Sequence, residues 1–253
     1  LNPGQKEGYN LTMNIKAQAR AEEARKAFLE PMEPDEVART IDNTLLHPDA
    51  VPEHVVRFVE DSLKYPFRAI VVGPNAAAVA REAIGNENMR LVSVVGFPMG
   101  FHSHDVKLKE AELLVKAGVS EIDYVIDISL AKQKDFRALE REAKSLLSLG
   151  VPLKAILECG LLSDEEKEGS AKALADAGVS FVKTSTGFLA GGATLYDVAL
   201  LHLAVEGTNC GVKASGSIRK LEDLQRMILA GADVIGTSAG IRIVREAVGH
   251  YHA

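Results

Sequence analysis

Short apolar runs alternate along the chain with longer stretches in which apolar residues recur every third or fourth position. The runs predict strands over 40–46, 68–72, 91–97, 122–128, 153–158, 181–184, 212–214 and 233–236. Most are nearly unbroken in Val, Ile and Leu, the pattern of parallel strands covered on both faces. A helical stretch follows each, over 53–64, 76–84, 106–117, 136–149, 164–177, 195–205, 221–229 and 241–248. Leu221, Leu224, Ile228 and Leu229 mark the apolar stripe of one of them. Several end in Ala-Gly just before the next strand, as at Ala117-Gly118, Ala177-Gly178 and Ala230-Gly231. Glycine there suits a left-handed helix cap. Eight strand–helix units predict an α/β fold, a (β/α)8 TIM barrel closed on itself. A doubly wound open sheet is the alternative. It is weakened because no Gly-x-Gly-x-x-Gly follows the first strand. A charged, Ala-rich helix over 17–29 precedes the barrel, and residues 1–10 are expected to be loose. The expected organisation is an N-terminal tail and helix over 1–30 and one barrel domain over 31–253.

Composition narrows the class. With 29 basic against 35 acidic residues and a net charge of −6, the chain offers no basis for nucleic-acid binding. No apolar stretch approaches the length of a membrane span, and no secretory signal is recognisable near the start. Two cysteines, Cys159 and Cys210, lack any paired spacing, so a reducing, cytoplasmic setting is expected. A chain of 253 residues buries a core large enough to dispense with disulfide or metal staples.

Two lysines carry the most chemical information. Lys183 sits in Phe181-Val182-Lys183-Thr184-Ser185-Thr186-Gly187, near the end of the sixth strand. Lys213 sits in Gly211-Val212-Lys213-Ala214-Ser215-Gly216, near the end of the seventh. In a barrel the C-terminal strand ends form the active face, and adjacent strands bring the two amines together. Burial disfavours a charged amine. A second ammonium ~4 Å away adds about 4 kcal/mol at an effective dielectric near 20, roughly three pKa units. An amine neutral near pH 7 attacks carbonyl carbon and forms a Schiff base. The plain alternative is a pair of strand lysines with solvated heads.

On the fourth strand Asp123, Val125 and Asp127 share a face by alternation. A carboxylate aimed into an apolar barrel needs a partner, and the lysines opposite supply one, either as a structural ion pair or as a proton shuttle. Lys154 and Asp42 extend the same polar set. Two small-residue loops, Ala214-Ser215-Gly216-Ser217-Ile218-Arg219 and Gly236-Thr237-Ser238-Ala239-Gly240, follow the seventh and eighth strands. Barrels often bind phosphate there, through backbone N–H groups and a helix N-terminus. His102 and His104 are the one compact pair of metal-ligand types, and no third ligand is set by spacing, so no metal is expected. Cys159 reads as a small buried residue.

The two lysine motifs occur with Ile41-Asp42-Asn43-Thr44-Leu45-Leu46, Val95-Gly96-Phe97-Pro98-Met99-Gly100, Glu121-Ile122-Asp123, Glu158-Cys159-Gly160-Leu161-Leu162 and Gly231-Ala232-Asp233-Val234-Ile235-Gly236-Thr237-Ser238. Together, from Ile41 to Val244, the sequence resembles the deoxyribose-phosphate aldolase family of Schiff-base (class I) aldolases. The resemblance implies reversible cleavage of 2-deoxy-D-ribose 5-phosphate to acetaldehyde and D-glyceraldehyde 3-phosphate, with no cofactor and no metal. It makes Lys183 the Schiff-base lysine, Lys213 the group that lowers its pKa, and Asp123 a proton relay through water. It places Thr44 and Thr186 against substrate hydroxyls, and Gly187, Gly216, Ser217, Ser238 and Ala239 at the phosphate end. Asp42 and Lys154 complete the expected substrate-binding set. The partners implied are small phosphosugar and aldehyde substrates, and a homo-oligomer, dimer or tetramer, is expected.

The sequence departs from the family pattern at Asn43, where His is usual, and at His47, where Lys is usual. Val71 replaces a Cys that many members carry, Ser217 replaces a glycine, and Asp127 stands for Asn. Residues 101–104 also depart. A Schiff-base aldolase for another phosphosugar, or for a non-phosphorylated aldehyde pair, is the alternative activity. A phosphosugar-binding barrel without catalysis is the third reading. The lysine pair argues against it, since binding alone has no need of a neutral amine.

Overall fold

The computed structural model describes residues 3–251. Eight parallel strands pair in sequence order and close into a barrel. They are β1 (Ile41–Leu45), β2 (Ala69–Val72), β3 (Arg90–Val95), β4 (Glu121–Val125), β5 (Leu153–Ile156), β6 (Phe181–Lys183), β7 (Gly211–Ser215) and β8 (Val234–Thr237). The register sets Asp123 beside Lys154 and Lys183 beside Lys213.

The helices are α1 (Pro3–Lys26), α2 (Pro34–Arg39), α3 (Pro52–Ser62), α4 (Ala77–Ile84), α5 (His104–Lys116), α6 (Ile128–Lys132), α7 (Phe136–Leu147), α8 (Asp164–Ala177), α9 (Leu195–Val205), α10 (Leu221–Ala230) and α11 (Gly240–Tyr251). The main apolar layer lies between strands and helices and includes Ile41, Ile70, Leu91, Tyr124, Leu139 and Ile235. A smaller cluster, Ala69, Val71, Val92 and Val94, forms on β2 and β3. These residues alternate with Ile70, Val72, Leu91 and Val95 of the main layer, so they fill the barrel interior on that side.

Three expectations are corrected. Residues 3–10 are not loose: they continue the helix that begins at Pro3, while residues 1 and 2 lie outside the described residues, as do 252 and 253 at the end of the expected barrel domain. The fourth strand stops at Val125 instead of running to 128. Asp127 turns away as the N-cap of α6, its Oδ1 accepting from Ser129 N at 2.9 Å, so it does not share the inward face of Asp123. The short helices α2 and α6 were not expected, because five or six residues are too few to display a helical period.

Helix α1 docks on the outside of the barrel against α9 and α10. Met13, Ala17, Ala21 and Ala24 are buried along one face of it, at three- and four-residue spacing. Arg20 Nε donates to Ala230 O at 2.7 Å, and an Arg226 guanidinium N–H donates to Ala24 O at 2.9 Å. No helix among the described residues is long and apolar enough to cross a membrane.

Candidate active site

A cavity of about 320 Å³ opens at the C-terminal end of the strands. Thr44, Leu46 and His47 line it from β1 and the loop beyond, and Lys183, Thr186, Gly187 and Phe188 from β6 and its loop. Gly216, Ser217 and Arg219 follow β7, and Gly236 and Ser238 belong to β8 and its loop. Lys183 is the lysine among the lining residues. Its Nζ donates to Asp123 Oδ2 at 2.8 Å, and Lys213 Nζ donates to the same oxygen at 2.7 Å. Asp123 and Lys213 thus lie behind the amine, deeper in the barrel, and do not line the cavity.

The buried set continues downward. Lys154 Nζ donates to Asp123 Oδ1 at 3.0 Å and to Glu121 Oε2 at 2.6 Å. Lys213 Nζ also donates to Asp42 Oδ2 at 2.6 Å. Arg68, just before β2, bonds Asp42 at 2.7 Å and both Glu121 oxygens at 3.0–3.1 Å. Its guanidinium lies 5.2 Å from the Phe181 ring centroid. Asp42 and Lys154 therefore belong to this ion network rather than to the cavity wall where the sequence reading set them.

Burial is the first cause that brings the Lys183 amine down to about 8 from its ordinary 10.5. Asp123 opposes that effect, and Lys213 and Lys154 reinforce it. The direct repulsion between two bare lysines that the sequence suggested is not the leading cause, because Asp123 sits between the amines. Burial alone would raise the proton affinity of Asp123, yet Lys154, Lys183 and Lys213 outweigh it and hold the carboxyl well below the usual range. For Asp42, burial is again outweighed, here by Lys213, Lys154 and Arg68, and the group stays ionised. Lys154 is likewise held charged, its burial outweighed by Asp123, Asp42 and Glu121.

The mouth is built from close-packed loops. Gly216 has φ +90°, and a Cβ there would meet Gly192 Cα at 2.8 Å, so glycine lets the loops after β6 and β7 touch. Gly236 leaves room for the Lys213 stem, since a Cβ would lie 3.0 Å from Lys213 Cε. Ser217 adopts φ +64°. It does not cap a helix, as α10 begins only at Leu221 behind Lys220. The helix start nearest the eighth loop is that of α11, at Gly240, just past Ser238. Ala239 lies outside the cavity lining, against a separate recess with Asn43 and Arg242. Asn43 turns away from the barrel and donates from Nδ2 to Ser62 Oγ at 2.9 Å.

Thr44 Oγ1 donates to Asp42 O at 2.9 Å. Thr186 Oγ1 donates to Glu158 Oε2 at 2.5 Å and accepts from Phe188 N at 3.1 Å. Glu158 itself is fully buried in a left-handed backbone conformation, φ +56°. The Phe188 ring packs edge-on against Phe97, centroids 5.3 Å apart. Arg68, Glu121, Glu158 and Phe188 are given no role by the sequence, although Glu121 and Glu158 open two of its motifs. A usable signal existed for the first two, since Asp42, Arg68, Glu121 and Lys154 are charges of both signs at or near the starts of neighbouring apolar strands. Cys159 is buried as expected, and burial pushes its thiol well up. Among the described residues no group of three or more His, Cys, Asp or Glu is arranged to hold a metal ion.

No family model matches the chain. Individual proteins do. Deoxyribose-phosphate aldolase of Caldanaerobacter subterraneus subsp. tengcongensis is 42% identical over 215 residues, covering 83% of this chain and 93% of that protein. The protein of the same name from Listeria monocytogenes (strain EGD-e) is 39% identical over 211 residues, 82% of this chain and 94% of that one. Among solved structures, the aldolase QR15 superposes with a TM-score of 0.81 at 35% identity, covering 86% of this chain and 98% of that one. The tetrameric deoxyribose phosphate aldolase of Aeropyrum pernix gives 0.80 at 33%, covering 90% and 97%. A closed barrel with this degree of identity to named enzymes over most of both lengths leaves one assignment: the chain is a lyase that belongs to the deoxyribose-phosphate aldolase family.

Proposed function

We propose that this enzyme cleaves 2-deoxy-D-ribose 5-phosphate reversibly to acetaldehyde and D-glyceraldehyde 3-phosphate through a Schiff base on Lys183. The observation that carries the reading is the Lys183 amine on the cavity wall, brought down to about 8 and backed by Asp123 at 2.8 Å. The neutral amine attacks the C1 aldehyde of the open-chain sugar, and loss of water leaves a protonated imine. The C3 hydroxyl gives up its proton, the C2–C3 bond breaks, and its electron pair moves into the iminium to form an enamine. Glyceraldehyde 3-phosphate leaves. The enamine takes a proton at C2, and water hydrolyses the resulting imine to acetaldehyde and free lysine. Asp123, acting through a water, carries the proton in both directions. Its low proton affinity makes it a transient carrier and keeps it a hydrogen-bond acceptor for the amines.

The phosphate end is formed by Gly187, Gly216, Ser217 and Ser238, with Arg219 as a cation on the same wall. Thr44 and Thr186 meet the sugar hydroxyls. Lys213 keeps Asp123 ionised and in place. A cytoplasmic homo-oligomer, dimer or tetramer, completes the reading; the tetrameric Aeropyrum pernix relative supports the assembly. Borohydride added with acetaldehyde tests the chemistry. A two-carbon reduced adduct should map to the peptide bearing Lys183. A label on other lysines with Lys183 free would refute the assignment.

A further inference from the structure

The buried network below the cavity holds three carboxylates, Asp42, Asp123 and Glu121. It holds three cations besides Lys183, namely Arg68, Lys154 and Lys213. The pairs are continuous: Glu121–Arg68 3.0 Å, Arg68–Asp42 2.7 Å, Asp42–Lys213 2.6 Å, Lys213–Asp123 2.7 Å and Asp123–Lys183 2.8 Å. Lys154 ties Glu121 at 2.6 Å to Asp123 at 3.0 Å. Three negative charges against three positive ones sum to zero with Lys183 neutral. A proton on Lys183 leaves the set at +1, in surroundings where all side chains but Arg68, at 13%, are under a tenth exposed. An uncompensated buried charge is unfavourable. Among the described residues the one further charge in contact, Arg90, lies 3.5 Å from Glu121 and is 58% exposed, so water screens it.

We propose that Arg68 and Glu121, at the N-terminal end of the barrel, are positioning residues that fix the charge balance under which Lys183 gives up its proton at the C-terminal end. Neither reaches the cavity. They act through Asp42, Lys154 and Asp123. The groups facing Lys183 from other strands are Asp123 of β4, Lys154 of β5 and Lys213 of β7. Glu158, on the segment after β5, is bonded to Thr186 and not to an amine. On the outer side, Lys167 of α8 is paired with Asp164 and Asp197. The inference rests on Lys183 as the imine-forming amine.

The test follows imine formation with acetaldehyde as a function of pH, read as the initial rate of borohydride-fixed two-carbon adduct. Purified full-length wild type is compared with Arg68→Met, Glu121→Gln, Arg68→Lys and the double variant Arg68→Met/Glu121→Gln, each checked by circular dichroism. Removing the cation should move the midpoint of the rise up by about one pH unit, and removing the carboxylate should move it down by about as much. The double variant, again balanced, should return to the wild-type midpoint, and Arg68→Lys should stay there. A purely structural role would change stability and leave the midpoints together. If Arg68→Met does not fold, Glu121→Gln decides alone: an unmoved midpoint overturns the inference. A double variant that keeps the shift of either single one also overturns it. Wild-type adduct on another lysine defeats the Schiff-base reading itself, whereas adduct on Lys183 with unmoved midpoints defeats only the charge-balance inference.

Discussion

The two sides of the barrel interior are built from opposite materials. On β2 and β3 the inward positions are Ala69, Val71, Val92 and Val94, a dry cluster without a polar atom in its side chains. On β1 and β4–β7 they include Asp42, Glu121, Asp123, Lys154, Lys183 and Lys213. The apolar side is held by dispersion and the exclusion of water, and its members are nearly independent. The charged side is held by mutual compensation, so no member can be altered without disturbing the rest. The first side supplies a rigid, low-dielectric wall. That wall keeps the second side's charges strongly coupled and lowers the proton affinity of the Lys183 amine.

Lys213→Leu should give the largest effect. It removes one of the two lysines that help lower Lys183 and takes a cation from both Asp42 and Asp123. Burial, the leading cause, stays in place, so Lys183 should rise only part of the way from about 8 toward 10.5, and each unit of rise lowers the neutral amine at pH 7 by about tenfold. Cleavage rates should fall in the same proportion and recover in part as pH rises. A flat ratio of mutant to wild-type rate across pH would break the comparison.

The second effect is on stability. The folded value of Lys183, about 8, lies below the 10.5 of the exposed amine, so between those pH values the unfolded chain binds more protons. Unfolding free energy should rise across that window, by up to about 3 kcal/mol. Urea titrations of wild type against Lys183→Met isolate the contribution, and parallel pH curves would count against it. Asp42 and Asp123 act in the same sense at lower pH, being held below 3.8 when folded. Their stabilisation is complete above that value and is lost as pH falls through the folded range.

On the apolar side, Val92→Ala should cost about 1–3 kcal/mol through lost burial and a small cavity. It should leave the pH profile of imine formation in place, which distinguishes packing from charge. Ser217→Gly should have the smallest effect. It relieves a non-glycine residue at φ +64°, about 1 kcal/mol, and gives some of that back in chain entropy. It also removes a hydroxyl donor from the proposed phosphate end. The KM for the phosphorylated sugar should rise several-fold while non-phosphorylated deoxyribose is little affected. A lower KM would show that the side chain crowds the anion.

The two sides were unequally legible in the sequence. The strands of the apolar side announce themselves as runs, because parallel strands need apolar residues on both faces. Lys183 and Lys213 stood out against just that background. Arg68 and Glu121 did not, since a charge at a strand end reads as an ordinary flank until closure of the barrel turns eight flanks toward one axis. Asp127 was misplaced for a local reason: alternation continues through Ile126, and only the Asx turn to Ser129 ends the strand. The left-handed turn at Glu158 has no sequence signature, glycine being the residue that usually marks such a backbone.

Thr44 and Thr186 carry a directional consequence. The first commits its proton to Asp42 O and the second to Glu158, so each hydroxyl faces the cavity with lone pairs only. A visiting hydroxyl is welcomed if it brings its own hydrogen, and a carbonyl, ether or fluorine in its place finds no donor at either position. Where the proposed sugar hydroxyls meet these two threonines, hydrogen-bond polarity favours a hydroxyl over the carbonyl that its oxidation would give.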